Sequence, residues 1–418
     1  MRRCRRCLYP ENHPLGITFD DEGICSGCRV HEEKDRLDWN DREKKLVRIL
    51  ESYRTKTGRA HDCIIPVSGA RDSYFIVHTI KNRFKLNPLL VTYNKHYNTR
   101  VGIRNLAYLR TLFGCDCLTL TVSPQIVKQI TRATLENIGS MYWHCLAGQT
   151  VFPVQIAVRF KIPLIIWGVH QGCDQVGMFS HMDEVEMTRK YRKDHDLMGF
   201  EAEDLLRLHP NLKEADLNPY FYPHDKILER VGVRGIYLSN YIRWDSKKQH
   251  EDMIRLYGYE ASPQERTFDT YNDVDCFHYS SLHDSLKWLK WGYGKVVDHA
   301  CREIRLKRLT REEAIGLVQA FARNPFNEAN LRIFLEWIGM DRAAFFSFVN
   351  KFRHSAAPDQ SFDGVGNVDS ARLEKKENCH FVLTSLREQV VEQGYTLLAR
   401  GHVDESKESL QLAGKARS

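Results

Sequence analysis

Four cysteines near the start of the chain are spaced as metal ligands often are. Cys4 and Cys7 form one C-x-x-C pair, and Cys25 and Cys28 form a second, with seventeen residues between the pairs. Two such pairs at this distance are typical of a tetrahedral four-thiolate zinc site with no open position. We therefore predict a structural Zn2+ ion in residues 1–32, which are too few to build a core of their own. The alternative is four unrelated free thiols.

A second chemistry-bearing stretch is "PVSGARDSYF" at residues 66–75, between an apolar run and a stretch with helical apolar periodicity. A helix that begins here directs unpaired N–H groups and a partial positive charge at whatever precedes it. Ser68 and Ser73 add hydroxyl donors, and Gly69 lets the backbone approach an oxyanion. Asp72 is suited to capping the helix, bracing the loop or holding magnesium (Mg2+). We predict a phosphate-binding loop; the alternative is an ordinary capped turn between a strand and a helix.

The elements that must position this loop can be predicted from apolar periodicity. Residues 63–67, 88–93, 117–122 and 163–168 are short, rich in β-branched residues and bounded by polar residues, Pro or Gly, as strands are. Residues 73–84 carry apolar side chains at helical spacing. This alternation predicts an α/β fold with a parallel sheet covered on both faces. Ligands bind beyond the carboxyl ends of such strands, and the loop follows the first one.

Composition indicates the broad class of protein. The net charge is +7, with 61 basic and 54 acidic residues, so the balance alone does not indicate a nucleic-acid partner. Twelve cysteines without a signal-like apolar segment favour thiols and metal over a disulfide framework. No apolar run reaches the roughly 18 residues of a spanning helix. We expect a cytoplasmic protein.

Several stretches of the chain resemble known proteins. "SGARDS" at 68–73 resembles the SGGxDS signature of the ATP-pyrophosphatase (PP-loop) superfamily, whose members bind ATP, release pyrophosphate and leave AMP on a substrate oxygen. Longer stretches are similar to the N-acetyl sugar amidotransferase family. They are "HDCIIPVSGARDSY" at 61–74, "PVQIAVRFKIPLIIWG" at 153–168, "GMFSHMDEVEMT" at 177–188 and "SLKWLKWGYGKVVDHACREIRLKRLTREEAI" at 285–315.

The resemblance implies a function. Members of that family convert the acetamido group of a nucleotide-linked or lipid-linked sugar into an acetamidino group, for bacterial surface polysaccharides such as O-antigen lipopolysaccharide or for flagellin glycosylation. The implied cofactors are ATP, Mg2+ and structural zinc. The implied partners are a separate glutaminase subunit that supplies ammonia and an N-acetylated sugar on its carrier. Nucleic acid is not expected.

The resemblance also implies site residues. The implied ATP contacts are Ser68, Gly69, Ala70, Arg71, Asp72, Ser73, Asn94 and Gly168. The implied catalytic or magnesium-binding groups are Asp72, His170, Asp183 and Glu186. The implied sugar contacts are Trp291, Tyr293, Lys295 and His299. Each assignment has an alternative without a catalytic or binding role. These are a solvated acidic turn for residues 183–186, a structural hydrogen bond for His170 and a packed helix core for the four implied sugar contacts.

Two positions depart from the family pattern. The second glycine of the signature is Ala70, which would cost about 1 kcal/mol if the backbone there required a positive φ. Val169 stands where relatives usually carry a glutamate. These departures leave open a weakened enzyme or a non-catalytic nucleotide-binding scaffold.

A tRNA-thiolating enzyme is a further alternative, since zinc-ribbon and PP-loop proteins also adenylate tRNA bases. Its cysteines would come from Cys115, Cys117, Cys145 and Cys173. The predicted organisation is a zinc-binding knuckle (1–32), an ATP-pyrophosphatase domain (33–200), a helical region for sugar or partner binding (201–353), a linker (354–378) and a charged helical tail (379–418).

Overall fold

The structure is a computed structural model that describes residues 2–58, 60–279, 281–322 and 326–353. The predicted linker (354–378) and the predicted tail (379–418) lie outside the described residues.

Five parallel strands form one sheet at the centre of the described chain. They are β1 (Cys63–Pro66), β2 (Pro88–Tyr93), β3 (Cys117–Leu120), β4 (Leu164–Trp167) and β5 (Arg234–Tyr237). Their order is β3-β2-β1-β4-β5, so the chain winds outward from β1 in both directions. The first four strands and the parallel sheet are as predicted. β5 was not predicted, and it falls in the region expected to be helical.

The strands are mainly apolar, apart from Thr92, Thr119 and Arg234, because both faces of the sheet are covered. Ile64 and Ile165 pack with helix residues such as Val154 on one face. Ile65 and Ile166 pack into a separate cluster on the other. Successive strand residues point to opposite faces, so runs without polar residues are what a doubly covered sheet requires.

Sixteen α-helices surround the sheet in the described residues. The first eight are α1 (Ser26–Glu33), α2 (Trp39–Tyr53), α3 (Arg71–Val77), α4 (Arg100–Phe113), α5 (Pro124–Ile138), α6 (Trp143–Phe160), α7 (Arg189–Tyr191) and α8 (Ala202–Leu208). The others are α9 (Glu214–Leu217), α10 (Asp225–Val231), α11 (Ser246–Tyr257), α12 (Leu282–Trp291), α13 (Lys295–Arg305), α14 (Arg311–Ala322), α15 (Glu328–Ile338) and α16 (Arg342–Lys351). The expected helical C-terminal region is therefore present, apart from β5. In the described part of the chain, none of the helices has the length and apolarity needed to cross a bilayer.

The helix predicted over 73–84 begins two residues earlier than expected. α3 starts at Arg71, and wider π-helical turns (His78–Arg83) continue it toward β2. Its first turn follows β1 directly. β1 lies between β2 and β4, at the point where the strand order reverses, which is where open α/β sheets bind ligands.

The loop before α3 is pressed against the start of α4. A Cβ atom built on Gly69 would lie 2.1 Å from the carbonyl oxygen of Gly102, and one built on Gly102 would lie 2.4 Å from the Cα of Asp275. Three backbone segments therefore meet with no room for side chains. Ala70 is different, because its φ of −92° and ψ of 163° are ordinary extended values. The strain expected from alanine at this position is absent.

We predict that substitutions at Gly69 and Ala70 change the stability of the protein to different extents and for different reasons. Gly69→Ala should lower the free energy of unfolding by about 2 kcal/mol or more, because the added methyl group collides with backbone. Ala70→Gly should lower it by less than about 1 kcal/mol, through unfolded-state entropy alone. Urea unfolding of both variants measures the difference. Equal effects of the two substitutions would contradict the close packing at Gly69.

Candidate functional site

The four predicted metal ligands come together in the structure. Cys4, Cys7, Cys25 and Cys28 are all buried, and their sulfur atoms lie within 4.8 Å of one another. The backbone N–H groups of Cys7 and Cys25 point at the Cys4 sulfur at 3.4 and 3.3 Å, as in thiolate knuckles. This donor set fits zinc, which would cross-link the segment before α1 to α1 itself.

Helix α13 packs against this knuckle. Leu8 donates its N–H to the sulfur of Cys301 at 3.3 Å, and Tyr9 donates its hydroxyl to Asp298 at 3.0 Å. From the end of α13, Arg305 reaches the Cys25 sulfur at 3.6 Å and also donates to the carbonyl of Gln175 at 2.8 Å. A guanidinium beside thiolates offsets part of their negative charge. The knuckle is therefore built into the wall of a larger site.

That site is a cavity of about 480 Å³ at the carboxyl edge of the sheet. Its walls come from the knuckle, the start of α3, the turn after α5, the segment after β4, and α12 with α13. Its size lies within the range of small-molecule sites. Residues that line the cavity include Tyr9, His13, Arg71, Asp72, Trp143, Gln175, His195, Asn272, Asp273, Tyr279, Lys287, Trp291, Tyr293, Lys295, Asp298, His299 and Arg302.

The cavity joins two groups of residues that the sequence had predicted separately. Arg71 and Asp72 of the 68–73 loop lie in its wall, and so do all four predicted sugar contacts: Trp291, Tyr293, Lys295 and His299. The other four loop residues do not line it. Within the loop, Ser73 accepts the N–H of Ser68 at 2.8 Å. Ser68 in turn accepts the N–H of Ala70 at 3.2 Å. The two serine hydroxyls therefore shape the loop, and Arg71 and Asp72 face the cavity.

A connecting segment, residues 269–276, bridges the two groups. Arg71 donates to the side chain of Asn272, whose amide lies 3.4 Å from Nε2 of His299 on α13. Asp273 accepts from Lys295 at the start of the same helix. The side chain of Asn272 thus links the 68–73 loop to α13.

At its other end the connecting segment is tied down beside α4. Asp275 accepts from Lys95 at 2.7 Å, and its carbonyl accepts from the N–H of Thr99 at 3.3 Å. Both partners follow β2. This explains why a segment from the C-terminal half of the chain lies over the strand ends.

Charges in the cavity are paired. Burial alone would raise the pKa of Asp298, but the ammonium group of Lys287 outweighs this effect, so the pKa lies below its usual range. The same carboxylate also accepts from Tyr9 and Gln175, each at 3.0 Å. Burial raises the pKa of Asp72, and the guanidinium of Arg71 opposes that shift. The walls therefore offer cations that are held in place by carboxylates.

His170 follows β4 as expected but does not line the cavity. It is fully buried among Tyr191, Tyr237 and Phe179, at ring-centroid distances of 4.3, 4.5 and 5.6 Å. Burial lowers its pKa to about 4. Its Nδ1 accepts from the N–H of Cys173 at 3.2 Å, which is the structural role given as its alternative. Next to it, Val169 packs against the apolar cluster on one face of the sheet.

Asp183 and Glu186 lie outside the cavity wall. Exposed Asp183 accepts the N–H of Ser180 at 3.1 Å and so caps a short turn. Glu186 forms a two-pronged ion pair with Arg234 at the start of β5, with distances of 2.6 to 3.1 Å. The structure accounts for both carboxylates locally.

Asn94 and Gly168 occupy the expected strand ends. Asn94 follows β2 and accepts from the side chain of Asn98 at 2.7 Å. Gly168 follows β4, where an added Cβ would lie 3.0 Å from Ile76. Neither lines the cavity. The four cysteines of the thiolation alternative (Cys115, Cys117, Cys145 and Cys173) are likewise absent from the described cavity wall.

The sequence did not reveal several wall residues. Tyr9 and His13 lie within the predicted zinc knuckle (1–32), where no pattern distinguishes them from their neighbours, and Asn272 lies in a stretch with no motif. Their role depends on contacts over more than 100 residues of chain, such as that of Tyr9 with Asp298. The one usable signal was the cluster of Lys, Asp and aromatic residues at 287–299.

Comparison with known proteins relates the α12–α13 wall to a family. Residues 265–363 match the family described as LPS biosynthesis protein WbpG-like, C-terminal domain. Over 118 residues the chain is 26% identical to an uncharacterized protein of Methanocaldococcus jannaschii, an alignment that covers 28% of this chain and 42% of that protein. The chain thus spans less than half the length of that relative. The family match covers the connecting segment, α12 and α13.

We predict that the purified protein holds one zinc ion and that Cys25→Ser removes it. The variant should lose several kcal/mol of unfolding free energy, because the knuckle and α13 share one packed cluster. Metal analysis and thermal unfolding measure both effects. Cys117→Ser, at a half-buried thiol in β3, is the matched control and should keep its metal. A Cys25→Ser protein with full zinc content would contradict the four-thiolate site.

Buried histidines predict a loss of stability in mild acid. Burial lowers the pKa of His13 to about 3 and that of His170, His181 and His299 to about 4. The unfolded chain, with histidine pKa values near 6.5, binds more protons below that pH. Stability should therefore be complete above pH 6.5 and fall as the pH drops toward 4. Urea unfolding across pH 8 to 4 measures this.

His181→Phe should flatten that dependence, because it removes one such proton. The slope should decrease by up to about 1.4 kcal/mol per pH unit. A wild-type stability that stays constant down to pH 5 would show that these histidines are not held neutral.

Proposed function

We propose that this protein is an ATP-dependent amidotransferase that acts on the N-acetyl group of a nucleotide-linked or lipid-linked sugar in lipopolysaccharide biosynthesis. One observation carries the proposal. A single cavity has Arg71 and Asp72 of the 68–73 loop on one side and α12 and α13 on the other. The second side falls within the residues that match the LPS biosynthesis family.

The position of the loop supports the nucleotide part of the proposal. It follows β1 at the point where the strand order reverses, and the helical segment behind it supplies unpaired N–H groups. Arg71 and Asp72 bring a cation and a possible magnesium ligand to the same place. Triphosphate bound there would lie beside the cavity.

The reaction needs ATP because an amide oxygen is a poor leaving group. In the proposed first step the acetamido oxygen attacks the α-phosphate of ATP, and the bond to pyrophosphate breaks. The amide nitrogen loses its proton, and the product is an O-adenylated imidate. In the second step ammonia adds to the imidate carbon, the carbon–oxygen bond breaks, and AMP leaves with the former amide oxygen. Loss of a proton gives the amidine.

The chain's own side chains suit the charges in this reaction. Arg71 and Arg302 border the cavity and carry positive charge toward phosphate groups. Lys287 and Lys295 are held by Asp298 and Asp273, so phosphates would compete with carboxylates for them. Asp72 is the group we assign to magnesium. Enclosure by the knuckle and α12 would exclude water from the adenylated intermediate.

Ammonia is proposed to come from a separate glutaminase subunit. The described residues form a single α/β sheet with its helices, and we assign that sheet to ATP. Free ammonium should replace that subunit in solution.

The proposal predicts products that mass spectrometry can identify. Incubation with ATP, Mg2+, ammonium and a panel of UDP-N-acetyl sugars should yield AMP, pyrophosphate and a sugar in which NH replaces oxygen. Asp72→Asn should reduce this activity by about a hundredfold or more, whereas Glu251→Gln, on an exposed face of α11, should leave it intact. Mass spectrometry and pyrophosphate release measure both.

Two outcomes would redirect the proposal. AMP formation that depends on tRNA and not on any sugar would favour thiolation. ATP binding by calorimetry without AMP under any condition would favour a nucleotide-binding scaffold.

A further inference from the structure

Besides Nε of Arg305, whose two terminal nitrogens bond to Gln175 and Cys25, three polar atoms in the cavity wall have no hydrogen-bond partner among the described residues. They are Nε2 of His13 in the knuckle, Nε2 of His195 in the π-helical segment Arg192–Asp196, and the hydroxyl of Tyr293 between α12 and α13. All three side chains are at least nine-tenths buried. Buried polar groups normally have partners. Three unpartnered atoms around one cavity therefore indicate groups that a ligand satisfies.

The hydrogen-bonding character of each atom can be assigned. His13 accepts the N–H of Leu15 on Nδ1 at 3.2 Å, and burial keeps the ring neutral, so its proton is on Nε2. His195 lies with Nδ1 2.7 Å from a carboxylate oxygen of Asp196. A carboxylate only accepts, so Nδ1 carries a proton, and in the neutral ring Nε2 is an acceptor. The hydroxyl of Tyr293 can do both.

This combination of donor, acceptor and hydroxyl discriminates between ligand classes. A phosphate or carboxylate offers only acceptors and would leave Nε2 of the neutral His195 ring without a partner. Sugar hydroxyls and a secondary amide offer both donors and acceptors. An aromatic side chain suited to a sugar ring, the partly exposed Trp291, lies in the same wall. His13 and Tyr293 are adjacent, with ring centroids 5.5 Å apart.

We propose that His13, His195 and Tyr293 form the recognition wall for the hydroxyl and acetamido groups of the acceptor sugar, so that the zinc knuckle contributes directly to substrate binding. This inference rests on the proposed function for the nature of the ligand. It adds that a residue between the two C-x-x-C pairs selects the sugar. The phosphates of the carrier would lie toward Arg71 and Arg302.

Substitution by phenylalanine separates recognition from a merely structural role. Tyr293→Phe removes only the hydroxyl, and His13→Phe and His195→Phe keep an aromatic ring. If the three atoms had no ligand, removing them would relieve an unpaired buried group and leave binding unchanged. If they bind the sugar, sugar affinity falls, and Tyr293→Phe lowers it without breaking any other hydrogen bond. His181→Phe, at a buried histidine outside the cavity wall whose ring nitrogens have no partner among the described residues, is the matched control.

The experiment is calorimetry with UDP-N-acetylglucosamine, UDP-N-acetylgalactosamine, UDP-N-acetylmannosamine and UDP alone, with thermal unfolding of each variant. We expect the wild type to bind at least one sugar nucleotide more tightly than UDP. Tyr293→Phe and His13→Phe should each weaken the binding of that sugar nucleotide about five- to tenfold with UDP affinity retained, and Tyr293→Phe, which breaks no other hydrogen bond, should also retain the melting temperature.

Wild-type affinity in both variants, or a wild type that binds none of the three sugar nucleotides more tightly than UDP, would overturn this inference. AMP and pyrophosphate release, measured separately, decide the proposed reaction. If the protein binds the sugar through these residues but forms no AMP, the recognition wall stands and the proposed amidotransferase activity is contradicted.

Discussion

The site depends on α13 being held from two sides. The knuckle grips one face through the contacts of Leu8 with Cys301 and of Tyr9 with Asp298. The connecting segment grips another, because Asp269 accepts from Arg302 at 2.7 Å and is itself fully buried. Buried ion pairs of this kind add little net stability but are costly to break. They fix the helix in one register and so fix the cavity walls.

This arrangement gives the four-cysteine knuckle a wider role than holding together the first thirty or so residues. Its cysteines are buried in the same cluster as Val296, Val297 and Ala300 of α13. Metal binding and the shape of the cavity are therefore coupled. Tyr9 and His13 precede the sheet by some fifty residues of chain. The packing of the knuckle on α13 brings them against the helices that follow the sheet.

The departures from the family pattern have different physical meanings. Ala70 adopts an extended conformation that any residue can adopt, so it carries no backbone strain; Gly69 is the position that admits no side chain. Val169 packs in an apolar cluster beside buried His170. A glutamate there would need its own partner in this chain. The first departure gives no reason to expect a weakened loop, and the second removes a carboxylate from the end of β4.

The sequence by itself determined the elements whose signals are local. Cysteine spacing identified the four thiols that come together, β-branched runs identified four strands, and the SGARDS string identified the loop at the sheet edge. β5 escaped because "RGIY" is short and contains Arg and Gly, both poor strand signals. The roles of Glu186 and His170 could not be predicted from local sequence either, since Arg234, Tyr191 and Tyr237 are far along the chain, whereas Asp183 caps a turn with nearby Ser180.

Only the tertiary structure decided which of these residues share a site. Periodicity specifies which face of a helix is buried but not which distant segment covers it. The connecting segment illustrates this, because its asparagine and aspartates have no motif and yet link Arg71 to His299 and Lys295. Long-range pairing of buried polar groups fixes such contacts, and no short window of sequence contains both partners.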